Sequence, residues 1–588
     1  MMVSCALTLW MAAVLAQAGA LAPAEAAWLK AVPAEAEVVV RGRTLKSIHG
    51  DLDQMLKAMS PNLSEMAKPV VDAGVDQLAN QFGQDALKTP FLFMMRLPKV
   101  EDAQAAAPGT WPAFAGLVRS ADLAGVQKAL AGGDPKAKPQ PGGYDQFTNA
   151  DGQTLYSAKL SSGFVVFGSD KDLVAATVKP TAALDARLND DLRNALLGGD
   201  LGVYVNLKAV QARYGDQLNQ AREQALGGID RGAAAQGNAG STESAKAAVS
   251  RLFETLKKGE ALAFHLDFAA EGLTVAGQTL GSAAKEQPPA PAGTAALMTR
   301  LPANAAIFSY MKLSPEAMQR FQRLGMSMLG GQAGKTSPAL EKALALQRQT
   351  GPQEIASSVE MSQGIQSFSL VVPQDPKAYV DSMAATLTAL KSADNAKNII
   401  KDVKVQNVVE PYKGFQFHKA TMTFDMDAIA KQQPNNPGGA DAVKQVLGGT
   451  DLTTWYGTDG KQVLSVSAKD WNTAKTQIDA ALSGTGTLGA MPGYKVIRAK
   501  LPEQVNALIL VSMQGVVRQL AAQVSARTPG STVRVPADMP KDPALLGGAI
   551  TRTQTGSQFQ FIVPSAVGSV VERGLMPVIS SMAAQVAK

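Results

Sequence analysis

Short apolar runs of period two, which predict strands, alternate along this chain with stretches whose apolar residues recur three or four apart, which predict helices. Two distant stretches open alike: Val32-Pro33-Ala34-Glu35-Ala36-Glu37-Val38-Val39 and Leu301-Pro302-Ala303-Asn304-Ala305-Ala306-Ile307-Phe308. Each reads as a proline-marked turn leading into a buried strand. A helical pattern follows each, through Ile48, Leu52, Met55 and Leu56 in one and Met318, Phe321, Leu324 and Met328 in the other. A second pair matches more closely: Ser169-Asp170-Lys171-Asp172-Leu173-Val174-Ala175-Ala176 and Ser467-Ala468-Lys469-Asp470-Trp471-Asn472-Thr473-Ala474 share four of eight residues. Each follows a turn (Ser162-Gly163, Asp459-Gly460) and a strand (Phe164 to Phe167, Val463 to Val466), and serine with an acid three positions on predicts a capping box opening a helix.

Both halves then close in the same manner. A strand at 201–207 precedes a helix at 210–225, and a strand at 507–512 precedes a helix at 516–524. Hairpins follow, 261–268 with 273–279 about Glu271-Gly272, and 549–553 with 558–563 about Thr555-Gly556. Residues 566–586 predict a docked amphipathic helix through Val567, Val571, Leu575, Val578 and Met582, kinked at Pro577. Gly, Pro, Ser or Asn enrichment predicts loops at 132–143, 227–247, 432–440 and 527–543. The reading is an α+β fold of two tandem copies of a mostly antiparallel sheet covered by helices: 27–281, a Pro/Ala-rich linker at 282–294, and 295–588.

The Pro-Ala-x-Ala approach to a strand, the Ser-x-Lys-Asp helix start after a hairpin, and the duplicated layout resemble exported bacterial proteins grouped as a domain of unknown function. The resemblance spans most of residues 28 to 580. It implies an antiparallel-sheet α+β fold in the bacterial envelope and supplies no catalytic residue.

Composition narrows the chemistry. The 588 residues are 46% hydrophobic and 18% charged, and no internal apolar run reaches the ~20 residues that span a bilayer. Val3 to Ala16 is apolar apart from Ser4 and Thr8, and Ala24-Glu25-Ala26 offers a small-x-small cleavage pattern, so residues 1–26 read as a secretory signal peptide, though no Lys or Arg precedes Lys30. The single cysteine, Cys5, would leave with it, removing thiol nucleophiles, disulfides and thiolate metal sites from the mature chain. That segment carries Glu25 and no basic residue, so the net charge of +6 would become +7. Arg41, Arg43 and Lys46 form the densest basic cluster, and with aromatics at 5% nucleic-acid binding is not expected.

Candidate motifs fall short of sites. His49, His265 and His418 are too scattered for a metal; His265 and Asp267 share a strand face, and His418 between Phe417 and Lys419 is ambiguous in facing. Gly330-Gly331-Gln332-Ala333-Gly334-Lys335-Thr336 ends like a phosphate loop but has Leu329 where the motif needs glycine. Gly484-Thr485-Gly486-Thr487-Leu488-Gly489 matches GxGxxG yet follows a helix, where a dinucleotide fingerprint follows a strand. Ser282 to Lys285 and Ser309 to Lys312 match Ser-x-x-Lys in a linker and a strand, and no GxSxG elbow occurs. Met94, Met95, Met326, Met328, Met576 and Met582 read as core filling. No catalytic, cofactor or metal residue is assigned. The expectation is a non-catalytic exported bacterial envelope protein, periplasmic or extracellular, with a binding or structural role and no integral span after signal cleavage. Its partner would be an envelope component or an apolar ligand. The alternatives are a periplasmic carrier of lipid or another apolar ligand, and a wall or polysaccharide hydrolase using a carboxylate pair.

Overall fold

The computed structural model describes residues 26–82, 88–97, 113–236, 257–281, 292–312, 338–350, 352–360, 364–391, 399–432, 447–527 and 543–580, with scattered positions between them. They form two compact units: Met1–Asn219 with Thr255–Glu286 and Thr555–Phe559, and Gln220–Glu254 with Gln287–Gln554 and Gln560–Lys588.

The first unit contains β1 (Val38–Gly42), β2 (Phe91–Met95), β3 (Phe114–Arg119), β4 (Lys138–Gln140), β5 (Tyr144–Thr148), β6 (Thr154–Lys159), β7 (Phe164–Gly168), β8 (Leu201–Val205), β9 (Gly259–Ala269) and β10 (Gly272–Gly281). They pair antiparallel throughout in the order β4-β5-β6-β7-β3-β2-β1-β8-β9-β10. Its helices are α1 (Ala26–Ala31), α2 (Leu45–Met59), α3 (Pro61–Phe82), α4 (Leu123–Ala131), α5 (Lys171–Val178), α6 (Asp190–Leu197) and the first part, to Asn219, of α7 (Leu207–Gln236), which is kinked at Tyr214. Both sheet faces are covered, which is why β7 reads Phe-Val-Val-Phe rather than alternating. Phe164 and Val166 enter a core with Trp28, Leu173 and Leu196, while Val165 and Phe167 enter another with Phe93, Leu45 and Val126.

The second unit contains β11 (Ile307–Lys312), β12 (Pro352–Glu360), β13 (Gln366–Pro373), β14 (Ile400–Tyr412), β15 (Phe415–Phe424), β16 (Asp451–Thr458), β17 (Val463–Ser467), β18 (Ala507–Ser512), β19 (Leu545–Arg552) and, from Gln560 on, β20 (Gly556–Pro564). Their order is β14-β15-β16-β17-β13-β12-β11-β18-β19-β20, the first unit's order with ten added to each strand number. The helices are α8 (Pro338–Gln349), α9 (Pro376–Leu390), α10 (Met426–Gln432), α11 (Trp471–Ser483), α12 (Pro492–Lys500), α13 (Met513–Arg527) and α14 (Ala566–Val570). One sheet face packs Phe308, Tyr310, Phe368, Phe417, Trp455 and Leu510 under α11 and α12. The other packs Tyr456, Val371 and Val463 under Tyr379 and Val380 of α9.

Several sequence expectations are corrected. Ser169 and Ser467 do not cap helices. Asp170 caps α5 by accepting from Asp172 N and Leu173 N at 3.0 Å, and Asp470 caps α11 by accepting from Thr473 N at 2.7 Å, so the matched stretches start their helices two residues out of step. A carboxylate bonds these N–H groups more strongly than a hydroxyl, and Ser467 stays in its strand, bonded to Thr454 at 2.8 Å. The loop expected at 132–143 contains β4, and Gly227 lies inside α7. Within the stretch 282–294 expected as a linker, Gly293 exchanges both backbone bonds with Val505 at 2.9 and 2.8 Å. The carboxy-terminal helix passes through a π turn, Val571–Leu575, ahead of Pro577, whose missing N–H breaks the i to i−4 ladder. Residues 1–25 and Met582 lie outside the described residues. Among those described, no helix is long and apolar enough to cross a membrane.

Candidate functional site

The motifs singled out from sequence resolve into structural roles wherever they are described. His265 Nδ1 meets the Ala195 carbonyl at 3.2 Å, and a Cβ at Gly198 would come within 2.6 Å of the ring, so this histidine wedges the turn between α6 and β8. His49 Nε2 meets Asp72 at 2.8 Å and joins α2 to α3. Gly484 ends α11 at φ 73, and Gly486 accepts from Ala303 N, so the GxGxxG match is a helix stop tied to the Leu301–Ala303 turn. Ser309 and Lys312 point to opposite faces of β11. Met94 is buried as expected, whereas Met576 is exposed. The phosphate-loop resemblance, Ser282 to Lys285, Met326 and Met328 lie outside the described residues. Among those described, no group of three or more His, Cys, Asp or Glu converges as metal ligands.

Of the basic cluster Arg41, Arg43 and Lys46, only Arg41 is withdrawn from the surface. Arg41 is buried and donates to the Gly199 carbonyl at 2.9 Å, and Arg43 pairs with Asp200 at 3.0 Å and Asp51 at 3.7 Å. This places two carboxylates on one guanidinium, but Asp200 has no exposed surface and both its oxygens are occupied, the second by Phe268 N at 2.8 Å. Asn506 holds the same place in the second unit: its Oδ1 accepts from Arg552 N at 2.8 Å, and its backbone bonds Ile550 and Lys312 as that of Asp200 bonds Leu266 and Arg43. Burial raises the Asp200 pKa above its ordinary 3.8. Folded protein therefore keeps a proton that unfolded chain releases, and stability falls as pH rises through that window. Asp200→Asn is expected to remove this slope and to change stability at pH 7 by no more than about 1 kcal/mol, which denaturant unfolding at several pH values would measure.

A different arrangement emerges on the α9 face of the second sheet. Cross-strand partners there place Ser309, Ser357, Ser369, Ser465, Tyr456 and His418 in one row over six strands, a run of about 24 Å at the usual strand spacing. The four serines are half-buried, and Ser357 and Ser369 bond each other at 2.9 Å. At the β18 side the row meets exposed aliphatics: Ile307 (36%), Ile509 (51%) and Ile550 (46%), with Phe561 (39%) beside Gly548. A sheet face of this kind is half hydroxyl and half hydrocarbon.

The matching row of the first sheet is closed. Register places Val40, Phe93, Gly116, Phe167, Ser157 and Asp145 where the second unit has Ser309, Ser357, Ser369, Ser465, Tyr456 and His418. Phe93 and Phe167 have no exposed surface and meet edge to face at 6.4 Å. The Phe167 ring lies over Gly116, where a Cβ would come within 2.3 Å of it. Asp145 and Ser157 are satisfied by Gln127 of α4 at 2.9 and 3.0 Å.

In the second unit the polar end of the row is left incomplete. Tyr456 is wholly buried, its hydroxyl has no hydrogen-bond partner among the described residues, and burial pushes its pKa up to about 12. His418 stacks on it at 5.5 Å, and its Nδ1 lies 3.2 Å from Asn407 Oδ1. Asn407 belongs to a bulge where β14 slips register between Gln406 and Glu410, and Val408 there adopts φ 44, a strained state for a β-branched residue. Burial lowers the His418 pKa from 6.5, against the opposing charge of Asp381 on α9. The unfolded chain then binds the proton first, so stability rises with pH through the window below 6.5 and is lost on acidification. Ring NMR is expected to find His418 protonating below 6.5, and Asp381→Asn should lower that midpoint further.

Sequence reasoning left His418 unassigned and missed the serine row. The signal was there as serines alternating with core residues in β11, β13 and β17, but aligning them needs long-range register. No protein-family profile matches the chain, no curated protein matches it in sequence, and no solved structure matches its fold.

Proposed function

We propose that this chain is a non-catalytic binding protein of the bacterial envelope, exported by its amino-terminal segment and built from two copies of one ten-stranded unit. In this reading the first copy is the structural support and the second carries the ligand on its serine-lined face. The duplication is supported by the shared strand order and by matching backbone bonds outside the strands, such as Leu184 N to Val32 O and Leu488 N to Leu301 O, both at 2.8 Å. The observation that supports the binding role is the opposite treatment of one sheet face among the described residues: Phe93 and Phe167 fill it in the first unit, whereas half-buried serines and the exposed Ile307, Ile509 and Ile550 occupy it beyond α9 in the second. Exposed apolar groups beside convergent polar ones mark interaction surfaces.

A carrier of an apolar ligand is the second reading, favoured by the exposed Ile307, Ile509, Ile550 and Phe561. The opposite face of that sheet is filled by Phe308, Tyr310, Phe368 and Trp455, so such a ligand would lie on the serine face rather than inside. The test is native mass spectrometry of protein purified without detergent from the exported fraction. Retained extra mass that disappears in Ile509→Glu supports binding on this face. Extra mass retained equally by that variant, or no ligand in either protein, contradicts it.

A further inference from the structure

We infer that the first unit holds one internal water beneath α6, bonded to the buried amide of Gln278 and bridging it to the Tyr204 hydroxyl. This concerns the first unit alone and stands apart from the binding face of the second. Gln278 lies on β10 with 1% of its surface exposed, and neither its Oε1 nor its Nε2 has a hydrogen-bond partner among the described residues. Cross-strand register sets Ala263 of β9 beside it and Tyr204 of β8 beside Ala263, all on the sheet face that α6 covers. Buried amide groups are met by protein or by ordered water, because leaving them unmet is costly.

The second unit shows the same place built without polar atoms. Ile562 stands six residues past Gly556 as Gln278 stands six past Gly272, and it is 2% exposed in the main core. Leu510 and Gly547 pair there as Tyr204 and Ala263 pair in the first unit. Ile497 of α12 reaches over Gly547, its Cδ1 lying 3.0 Å from the place a Cβ would take. The residue at the same distance from the cap of α6 is Ala195, six past Asn189 as Ile497 is six past Met491. Alanine lacks three of the isoleucine carbons, and Tyr204 and Ala263 refill only part of that space. A polar lining with room that no side chain fills is where proteins keep buried water. Gln278 supplies an acceptor and two donors, and burial raises the Tyr204 pKa above the ordinary tyrosine range, so its hydroxyl keeps a proton to donate. The two residues stand two strands apart, about 10 Å between backbones, a gap that their side chains and one water close together. Neither side chain is charged, so the guest is neutral.

Two measurements on the full-length protein test this. A high-resolution crystal structure should show one water about 3 Å from both the Gln278 amide and Tyr204 Oη. Oxygen-17 relaxation dispersion, which counts waters held longer than the protein takes to tumble, should find one fewer in Gln278→Leu and one fewer in Tyr204→Phe than in the wild-type chain. Gln278→Leu should also unfold at the same or a higher denaturant concentration, since an apolar side chain of similar size needs no partner, whereas the reverse exchange in the second unit, Ile562→Gln, should unfold earlier and gain no water. Gln278 bonded directly to Tyr204 or to another protein group, density for a molecule larger than water, or an equal count of long-lived waters in the wild-type chain and Gln278→Leu would each overturn the proposal. Loss of the water in Gln278→Leu but not in Tyr204→Phe would overturn the bridge to Tyr204. Should either variant fail to fold, the density beside Gln278 in the wild-type crystal decides.

Discussion

Phe167→Ala is expected to lower the unfolding free energy by about 3–5 kcal/mol, the usual cost of emptying a wholly buried aromatic site. Phe167 meets Phe93 and Phe114 edge to face at 6.4 and 6.5 Å, and its ring occupies the space that a side chain at position 116 would fill. Gly116 offers no side chain to fill that space, so collapse around a smaller residue is limited on that side. Ser465→Ala at the matching place in the second unit should change stability by about 0.5 kcal/mol or less, because a half-exposed hydroxyl can be lost to water without leaving a void. Equilibrium denaturation of the two variants gives the comparison directly. Similar losses at both positions would mean that the second face is as tightly covered as the first.

Glu37→Ala is the other large effect, expected to cost about 3 kcal/mol or more in the same measurement. The Glu37 side chain is 6% exposed; one oxygen accepts from Arg213 Nη1 at 2.8 Å and the other from Leu97 N at 2.8 Å. Removing the carboxylate leaves a guanidinium and a backbone N–H without acceptors, and unmet buried groups cost more than the bonds that satisfy them contribute. The chain leaving β2 is held again by Tyr214, whose hydroxyl donates to the Leu97 carbonyl. Glu37→Gln preserves shape and one acceptor, so it should lose less than half as much. Equal losses in the two variants would show that the charge, and not the pair of acceptors, holds this corner.

Much of the fold was legible in the sequence because its signals are local. The proline-marked turns at Pro33 and Pro302, the hairpin turns at Gly163, Gly272 and Gly460, and the strand at 507–512 depend on neighbours within a few residues. Helix starts were less readable, since serine and aspartate compete for the cap and Asp170 and Asp470 win it from Ser169 and Ser467. Sheet order was not legible at all: β3 pairs with β7 across a forty-four-residue excursion, and β1 lies between β2 and β8. The candidate face was hidden for the same reason. Ser309, Ser357, Ser369 and Ser465 come from strands far apart in the chain, and only cross-strand register lines them up. His418 was ambiguous because both of its sequence neighbours were plausible on either face; its place beside Tyr456 follows from Phe415 and Phe417 taking the other side.

Hydroxyl-radical footprinting of the ligand-free protein, read residue by residue by mass spectrometry, tests most directly the claim that one strand order presents a sealed face once and an open face once. Ile509, Ile550 and Phe561 should be oxidised rapidly while Phe93 and Phe167 stay protected until the protein unfolds. Protection of Ile509, Ile550 and Phe561 to the level of Phe93 would contradict the account.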